Sequence, residues 1–528
     1  MTATRKASAP DAKTSGCGPI AKSKRGPVRA AVLIAIHVAI VAHIAHWKIT
    51  GSTVTPLEPS ESMQTLELGY VNAGFVLFGI AILATLIFGR FFCGWACHLV
   101  AYQDLASWIL GKLRMKPRAV RTRFVAFLAP MGAAFYMFLL PSLTRLVQGE
   151  PSPELVDHMT TEKFWATFPG FWIGLLTFVV CGALIIWFLG AKGFCTYACP
   201  YGAFFGVADR VSPGRIRVTD ACEGCGHCTA VCTSNVLVHQ EVRDYKMVVD
   251  AGCMKCLDCV SVCPKDALYF GFGKPTRPPL EEGRKKFKKR YDLTLGEEFL
   301  FLWSGLAIFF AFRGLYEHVP FLLSMGLGAI GGICVVTLWR LATKAQVRFQ
   351  SHLFKSQGKL TRQGLTATCV FVPFLLFAAH SGYVRFHQRA GDVALQEASQ
   401  LLAQAKAERD MAKAEAAVER MREAGASYQA AIDLGIYPVS SYHVALARVA
   451  AEANNDLAAC ERHADRALEI FPDDLNGLWW KYLCRAQARD IDGAEAALLR
   501  MLEIDPDFRG GEVQRQLENT RAARERGL

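Results

Sequence analysis

Eight cysteines between Cys222 and Cys263 restrict this chain more than any other feature: Cys222-Glu-Gly-Cys225-Gly-His-Cys228-Thr-Ala-Val-Cys232, then Cys253-Met-Lys-Cys256-Leu-Asp-Cys259-Val-Ser-Val-Cys263-Pro264. Each run spaces three thiols by two residues and adds a fourth after three. In a doubled pattern of this kind, three thiolates of one run wrap a [4Fe-4S] cluster while the fourth crosses to the other cluster. This pattern assigns Cys222, Cys225, Cys228 and Cys263 to one cluster, and Cys253, Cys256, Cys259 and Cys232 to its neighbour. The alternatives are structural zinc and disulfides. Zinc knuckles rarely double such a run, and disulfides need an oxidising compartment.

The segment resembles bacterial two-cluster ferredoxins, and its end, Cys263-Pro264-Lys-Asp-Ala-Leu, fits that pattern closely. The resemblance implies an inserted α+β domain over 213–272. Thr233 departs from it, standing where the first run would carry proline. That position shapes the exit of the loop and is not a ligand.

At 528 residues the chain is too long for one core. Hydrophobic residues make up 52% and charged residues 20%, a balance tilted toward a membrane protein. The net charge of +12 sits beside apolar spans, where basic residues orient a membrane protein; no nucleic-acid partner is expected. Apolar runs long enough to cross ~30 Å of hydrocarbon fall near 28–47, 70–89, 124–144, 171–190, 297–316, 319–340 and 364–382. The tail 1–27 is polar and basic with no apolar stretch before Cys17, so no signal peptide or lipoprotein box is expected there.

Loop charge sets the orientation. Lys22, Lys24, Arg25 and Arg29, the loop holding Lys112, Arg114, Lys116, Arg118, Arg121 and Arg123, the run Arg284–Arg290, and the loop with Arg340, Lys344, Arg348, Lys355 and Lys359 belong inside. The acidic loops with Glu58, Glu61 and Glu67, and with Glu150, Glu154, Asp157 and Glu162, belong outside. The clusters are therefore expected in the cytoplasm of a bacterium, on its inner membrane. Everything beyond about residue 383 is expected outside.

That tail is alanine-rich and helical. Pro438, Pro472 and Pro506 recur every 34 residues, closing Asp433-Leu-Gly-Ile-Tyr-Pro438, Leu468-Glu-Ile-Phe-Pro472 and Leu502-Glu-Ile-Asp-Pro506. This resembles the tetratricopeptide repeat, with Ala430, Ala464, Ala467 and Ala494 at small positions and Arg448 as a departure. A plain helical bundle or coiled coil is the alternative. Such a solenoid implies a protein partner and does no chemistry itself.

Two copies of a further pattern close the second and fourth spans: Arg90-Phe-Phe-Cys93-Gly-Trp-Ala-Cys97-His98 and Lys192-Gly-Phe-Cys195-Thr-Tyr-Ala-Cys199-Pro200. Each has a basic residue three before the first thiol. If each span continues as helix, the C-x3-C spacing sets both thiols on one face, and two such helices could present four. Four thiolates suit copper(I), zinc or an iron-sulfur cluster; the plain alternative is reduced cysteines packing a helix end. His98 replaces the proline of the second copy and is a further candidate ligand.

Residues 28–272 resemble the membrane polyferredoxins of the NapH, NosR and CcoG/FixG type. That resemblance implies two cytoplasmic [4Fe-4S] clusters and electron transfer toward respiratory enzymes, in some cases from quinol, or copper reduction for oxidase assembly. No flavin-binding domain is recognisable. His37, His43 and His46 on the outer half of the first span, with His318 and His380, could hold haem or copper or bond a quinol. Haem is not expected, since it needs two facing ligands at one depth.

The reading is a mainly α protein: a polytopic helical membrane domain with an inserted α+β two-cluster ferredoxin domain and a C-terminal α-helical tetratricopeptide-like solenoid. Its parts are a basic tail (1–27), a four-span unit with paired C-x3-C motifs (28–200), the ferredoxin domain (213–272), a basic linker (273–296), three further spans (297–382) and repeats (393–528). The expected function is an electron relay between a soluble redox protein or quinol and a membrane acceptor. Copper handling for an oxidase and a scaffold that recruits through the repeats are the rivals. No nucleophile, phosphate loop or acid/base pair argues for a catalytic site.

Overall fold

The computed structural model describes residues 19–115, 117–149, 151–165, 168, 170–275 and 291–525; Cys17, Lys116, Glu150 and the basic run 284–290 lie outside them. Among the described residues, seven apolar helices follow one another: α1 (Arg25–Thr50), α2 (Ala73–Phe88), α3 (Val125–Gln148), α4 (Phe171–Leu189), α5 (Leu295–Phe312), α6 (Phe321–Thr343) and α7 (Arg362–Glu408). All but α2 are long and apolar enough to cross a membrane. At 16 residues, α2 is about 24 Å long. Glycines end α1 and α2, Gly51 and Gly89 taking positive φ. Large apolar side chains such as Ile34, Val38, Leu83, Phe171 and Trp172 point outward, as they must where the solvent is hydrocarbon.

The chain divides into two compact units, Met1–Phe309 with Pro320–Val372, and Phe310–Val319 with Pro373–Leu528. In the first, the two acidic loops pair with each other: Thr53–Val54 runs antiparallel to Thr160–Thr161, and Tyr70–Val71 parallel to Val156–Asp157. Helices α5 and α6 approach closely through small residues. A Cβ at Gly328 would stand 2.7 Å from the Gly305 carbonyl, and one at Gly332 2.4 Å from the Phe301 ring, the close backbone packing that glycine permits in membranes.

The second unit is a set of helical hairpins: α8 (Met411–Asp433), α9 (Ser440–Glu452), α10 (Leu457–Ile470), α11 (Leu475–Gln487), α12 (Ile491–Ile504) and α13 (Glu512–Glu525). Asp410, Asp456, Asp474 and Asp490 cap α8, α10, α11 and α12, each side chain accepting backbone N–H bonds of the first turn. Ala464, Ala467 and Ala494 are fully buried where helices close up. Arg448 is accommodated at the surface by bonds to Glu452 and Ser399.

Cys460 and Cys484 lie outside every cysteine motif of the sequence, yet the packing of α10 on α11 brings their Cα atoms to 6.2 Å and they form a disulfide.

Candidate functional site

The cluster-motif region is built on β1 (Arg215–Val218) and β2 (Leu268–Gly271), an antiparallel pair in register from Arg215 opposite Gly271 to Val218 opposite Leu268. Between the strands, the two cysteine runs form tight loops. Backbone at positive φ recurs at matching places: Gly224 and Gly226 in the first run, Lys255 and Leu257 in the second. Glycine adopts this conformation freely, whereas Lys and Leu hold it only where the surroundings enforce it.

The two loops frame two cavities. One is lined by Cys222, Cys225, Cys228 and Cys263 with His239, Val242 and Leu268. The other is lined by Cys232, Cys253, Cys256 and Cys259 with Ile216, Val238 and Met254. Burial pushes the thiols of Cys228 and Cys256 up to about 12 and lifts Cys232 and Cys259 as well. Thiolates so desolvated need a positive partner, which a bound metal core supplies. Among the described residues no three His, Cys, Asp or Glu side chains are close enough to share one ion. Zinc needs that convergence, whereas a [4Fe-4S] cluster seats four cysteines around a larger core. The donor set and the cavities fit a four-iron cluster in each.

The paired motifs take the form of short helices and turns, Phe91–Trp95 leading into His98–Lys112 and Gly193–Tyr197 leading into Pro200–Val211. The condition of one helix running on through each pair is not met: the chain breaks at Cys97 and Cys199, which are extended residues heading the next helix. Cys93 and Cys195, each 8% exposed, share one apolar core with Cys97 and Cys199 packed against it. Cys97 feels the charge of Cys195 and Cys93, Cys195 that of Cys93, and Cys199 those of Cys195, Cys97 and Cys93. Burial first, then Cys195 and Cys93, push the Cys97 thiol up to about 12. Gln103 donates to Cys195 Sγ at 3.1 Å.

The copies differ in what they dock against. Arg90 donates to the Ala251 carbonyl at 2.9 Å, and Trp95 Nε1 to the Lys255 carbonyl at 3.0 Å. Gly94 lies flat on this same loop: a Cβ there would stand 2.2 Å from the Met254 carbonyl. The first copy thus grips the Cys253–Cys256 loop. In the second, Tyr197 instead donates to the Val120 carbonyl at 2.6 Å and Lys192 pairs with Asp104.

Sequence reasoning missed the charges that brace this contact. Asp209 accepts from Lys255 Nζ at 2.8 Å and from the Arg90 amide at 3.1 Å. Asp104 holds Lys192 and, at 3.0 Å, Arg29, which also lies 3.8 Å from Asp258. The available signal was a single acid in each otherwise uncharged stretch, Asp104 in 98–111 and Asp209 in 200–209, since an acid there must find a partner.

The remaining candidates each meet a neighbour other than a thiol. His98 Nε2 stands 3.7 Å from Glu58. His37 bonds the Leu33 carbonyl, His43 the Val54 carbonyl, His46 the Thr53 hydroxyl and His380 the Leu434 carbonyl, and His318 meets the Tyr437 ring edge-on.

Comparison with known proteins matches these parts. A family described as "4Fe-4S binding domain" matches residues 72–117 and 171–219, one paired motif in each, and a "4Fe-4S dicluster domain" matches 221–268. The methylamine utilization ferredoxin-type protein MauN of Methylobacillus flagellatus is 31% identical over 36% of this chain and 68% of its own. The putative electron transport protein YccM of Escherichia coli is 27% identical over 40% of this chain and 60% of its own. The ferredoxin-type protein NapH of Haemophilus influenzae is 26% identical over 41% and 76%. No solved structure matches.

Proposed function

This chain belongs to the ferredoxin-type membrane electron-transport family of MauN and NapH, and from that premise we propose that it relays electrons between a soluble redox protein or quinol and a membrane acceptor. Cys222, Cys225, Cys228 and Cys263 would hold one [4Fe-4S] cluster and Cys232, Cys253, Cys256 and Cys259 the other. Bound there, the clusters supply one-electron chemistry. The protein braces the second ligand loop against the membrane unit with Arg90, Trp95 and the Lys255–Asp209 pair.

The observation that carries this reading is the pair of four-cysteine cavities, each mixing three thiols of one run with the last of the other. Exchanging Cys225 for Ser should remove about four irons per chain, and so should Cys256→Ser. Unchanged iron in either variant would overturn the ligand assignment.

The setting we propose is a bacterial inner membrane, with the clusters in the cytoplasm and the helical hairpins outside. Loop charge supports this. So does the Cys460–Cys484 disulfide, because disulfides persist in oxidising compartments. The hairpins, with aspartate caps 34 residues apart at Asp456 and Asp490, read as a tetratricopeptide-like solenoid that binds a protein partner. Protease added to spheroplasts should remove them.

A further inference from the structure

A cavity of about 840 Å³ lies between α3, the helix Pro200–Val211 and the cluster-motif region. The relay as described makes no use of it, and its size suits a small-molecule site. Its two helical walls run antiparallel: Arg210 stands 5.3 Å over the Phe127 ring at one end, and the Tyr201 hydroxyl bonds Met137 Sδ at 3.8 Å toward the other. Both walls therefore carry the same gradient. One offers Arg121 just before α3, then Phe127 and Pro130 within it; the other, followed backward from its last turn, offers Arg210, then Val207, Gly206 and Ala203.

Charge at the cationic end is unbalanced. Arg123 pairs with Glu298, Arg90 donates to the Ala251 carbonyl, and Arg215 donates to the Val248, Asp209 and Arg210 carbonyls. The acids that reach the cavity are likewise engaged: Glu241 accepts from the Val249 and Asp250 amides, Asp244 pairs with Arg243, and Asp250 accepts from the Gly252 amide. Arg121 and Arg210 are exposed, and among the described residues neither guanidinium pairs with a carboxylate.

Gly206 is a separate pointer. Glycine weakens a helix interior, yet here φ is ordinary and a Cβ would have no protein atom within 4 Å. Neither backbone conformation nor crowding by the protein demands glycine at this point of the wall. A hydrocarbon chain lying along the wall accounts for it. Two unpaired guanidiniums at the end of an apolar cleft, at the basic end of a membrane span, fit a molecule with an anionic head and an apolar tail. A quinone brings no charge to meet them, and a soluble phosphate leaves the apolar walls uncovered.

We propose that this cavity binds an anionic phospholipid, its phosphate at Arg121 and Arg210 and an acyl chain along Phe127, Pro130, Gly206 and Val207. The cavity also borders Met254, so the bound lipid lies beside the second cluster loop. This rests on the membrane setting proposed above and not on the clusters.

The test titrates the full chain, extracted in detergent and stripped of lipid, with phosphatidylglycerol, and follows binding by native mass spectrometry. Phosphatidylglycerol should bind more tightly than phosphatidylcholine with the same chains. Arg121→Gln/Arg210→Gln should weaken phosphatidylglycerol roughly thirtyfold and leave phosphatidylcholine unchanged, whereas Gly206→Leu should block both lipids with the two arginines in place. Wild-type affinity in the arginine variant, or equal affinity for the two lipids, would overturn the proposal. So would equally tight binding of free glycerophosphate, which has the head without the tail, or quinone in place of phospholipid in the protein as first extracted. Should the variants fail to fold, the two lipids and glycerophosphate compared on the wild-type chain decide alone. Recovery of the chain from the soluble fraction without detergent would instead remove the membrane setting itself.

Discussion

Lys255 and Asp209 form an ion pair of 2.8 Å with each side chain only 1% exposed. The lysine lies inside a cysteine loop, and the aspartate on the helix Pro200–Val211 that follows the second paired motif. Removing one member strands a buried charge, at a cost of about 3–5 kcal/mol. Asp209→Asn should therefore lower the thermal midpoint of the detergent-solubilised protein markedly. A Lys255→Met/Asp209→Leu double variant should recover most of that loss. Additive losses in the double variant would mean that the two side chains act independently.

Gly94 and Thr196 occupy equivalent positions in the two C-x3-C motifs, and Gly94 lies against the cluster loop. A methyl group at Gly94 would meet the Met254 carbonyl at 2.2 Å, so that loop must move. Gly94→Ala should alter the resonance signal and potential of the Cys232/Cys253/Cys256/Cys259 cluster alone, and Thr196→Ala should change neither cluster. Indistinguishable redox titrations of the two variants would show that the docking is not what tunes this cluster.

The Cys460–Cys484 bond closes a loop of 24 residues, and a loop of this size stabilises by about 3 kcal/mol in the chain-entropy picture. Cys460→Ser should destabilise the helical hairpins by that order. In intact spheroplasts, a membrane-impermeant maleimide should label these two cysteines only after reduction. Labelling without reductant would place them as free thiols.

His443 and His463 face each other with Nδ1 atoms 3.3 Å apart. Burial, then the neighbouring imidazole, holds His443 down at about 4; burial, then Arg462, lowers His463. Both groups thus take up protons more readily unfolded than folded. Their contribution is complete above the unfolded value near 6.5 and is lost as pH falls toward 4. Both rings are half-exposed, which limits the loss to on the order of 1–2 kcal/mol. Hydrogen exchange over 440–470 should accelerate between pH 6.5 and 4, after correction for intrinsic rates, and His443→Gln should flatten that dependence. An equally steep acceleration in the variant would assign the effect elsewhere.

Much of this architecture is legible in the sequence because it is written in local spacing. The apolar run near 171–190 lies over α4, whereas that near 70–89 gives α2, whose 16 residues fall short of a full span. The cysteine runs announce themselves by their intervals. Long-range pairing is not written that way. Nothing near Cys460 points to Cys484, and nothing near Lys255 points to Asp209, because such partners are chosen by how helices pack. The two C-x3-C motifs look like copies, yet the structure sets Gly94 of the first against the Met254 carbonyl. The span expected to end at 382 continues as α7 to Glu408, where charged side chains replace apolar ones without breaking the helix.

The most direct test of the account is electron paramagnetic resonance of the anaerobically purified chain, before and after reduction, with iron and sulfide counted on the same sample. Signals of reduced [4Fe-4S] clusters are expected that are absent before reduction and are lost one cluster at a time on serine exchange at Cys225 and at Cys256. Protein that is correctly folded, iron-free and loaded with zinc, or silent on reduction, would contradict it.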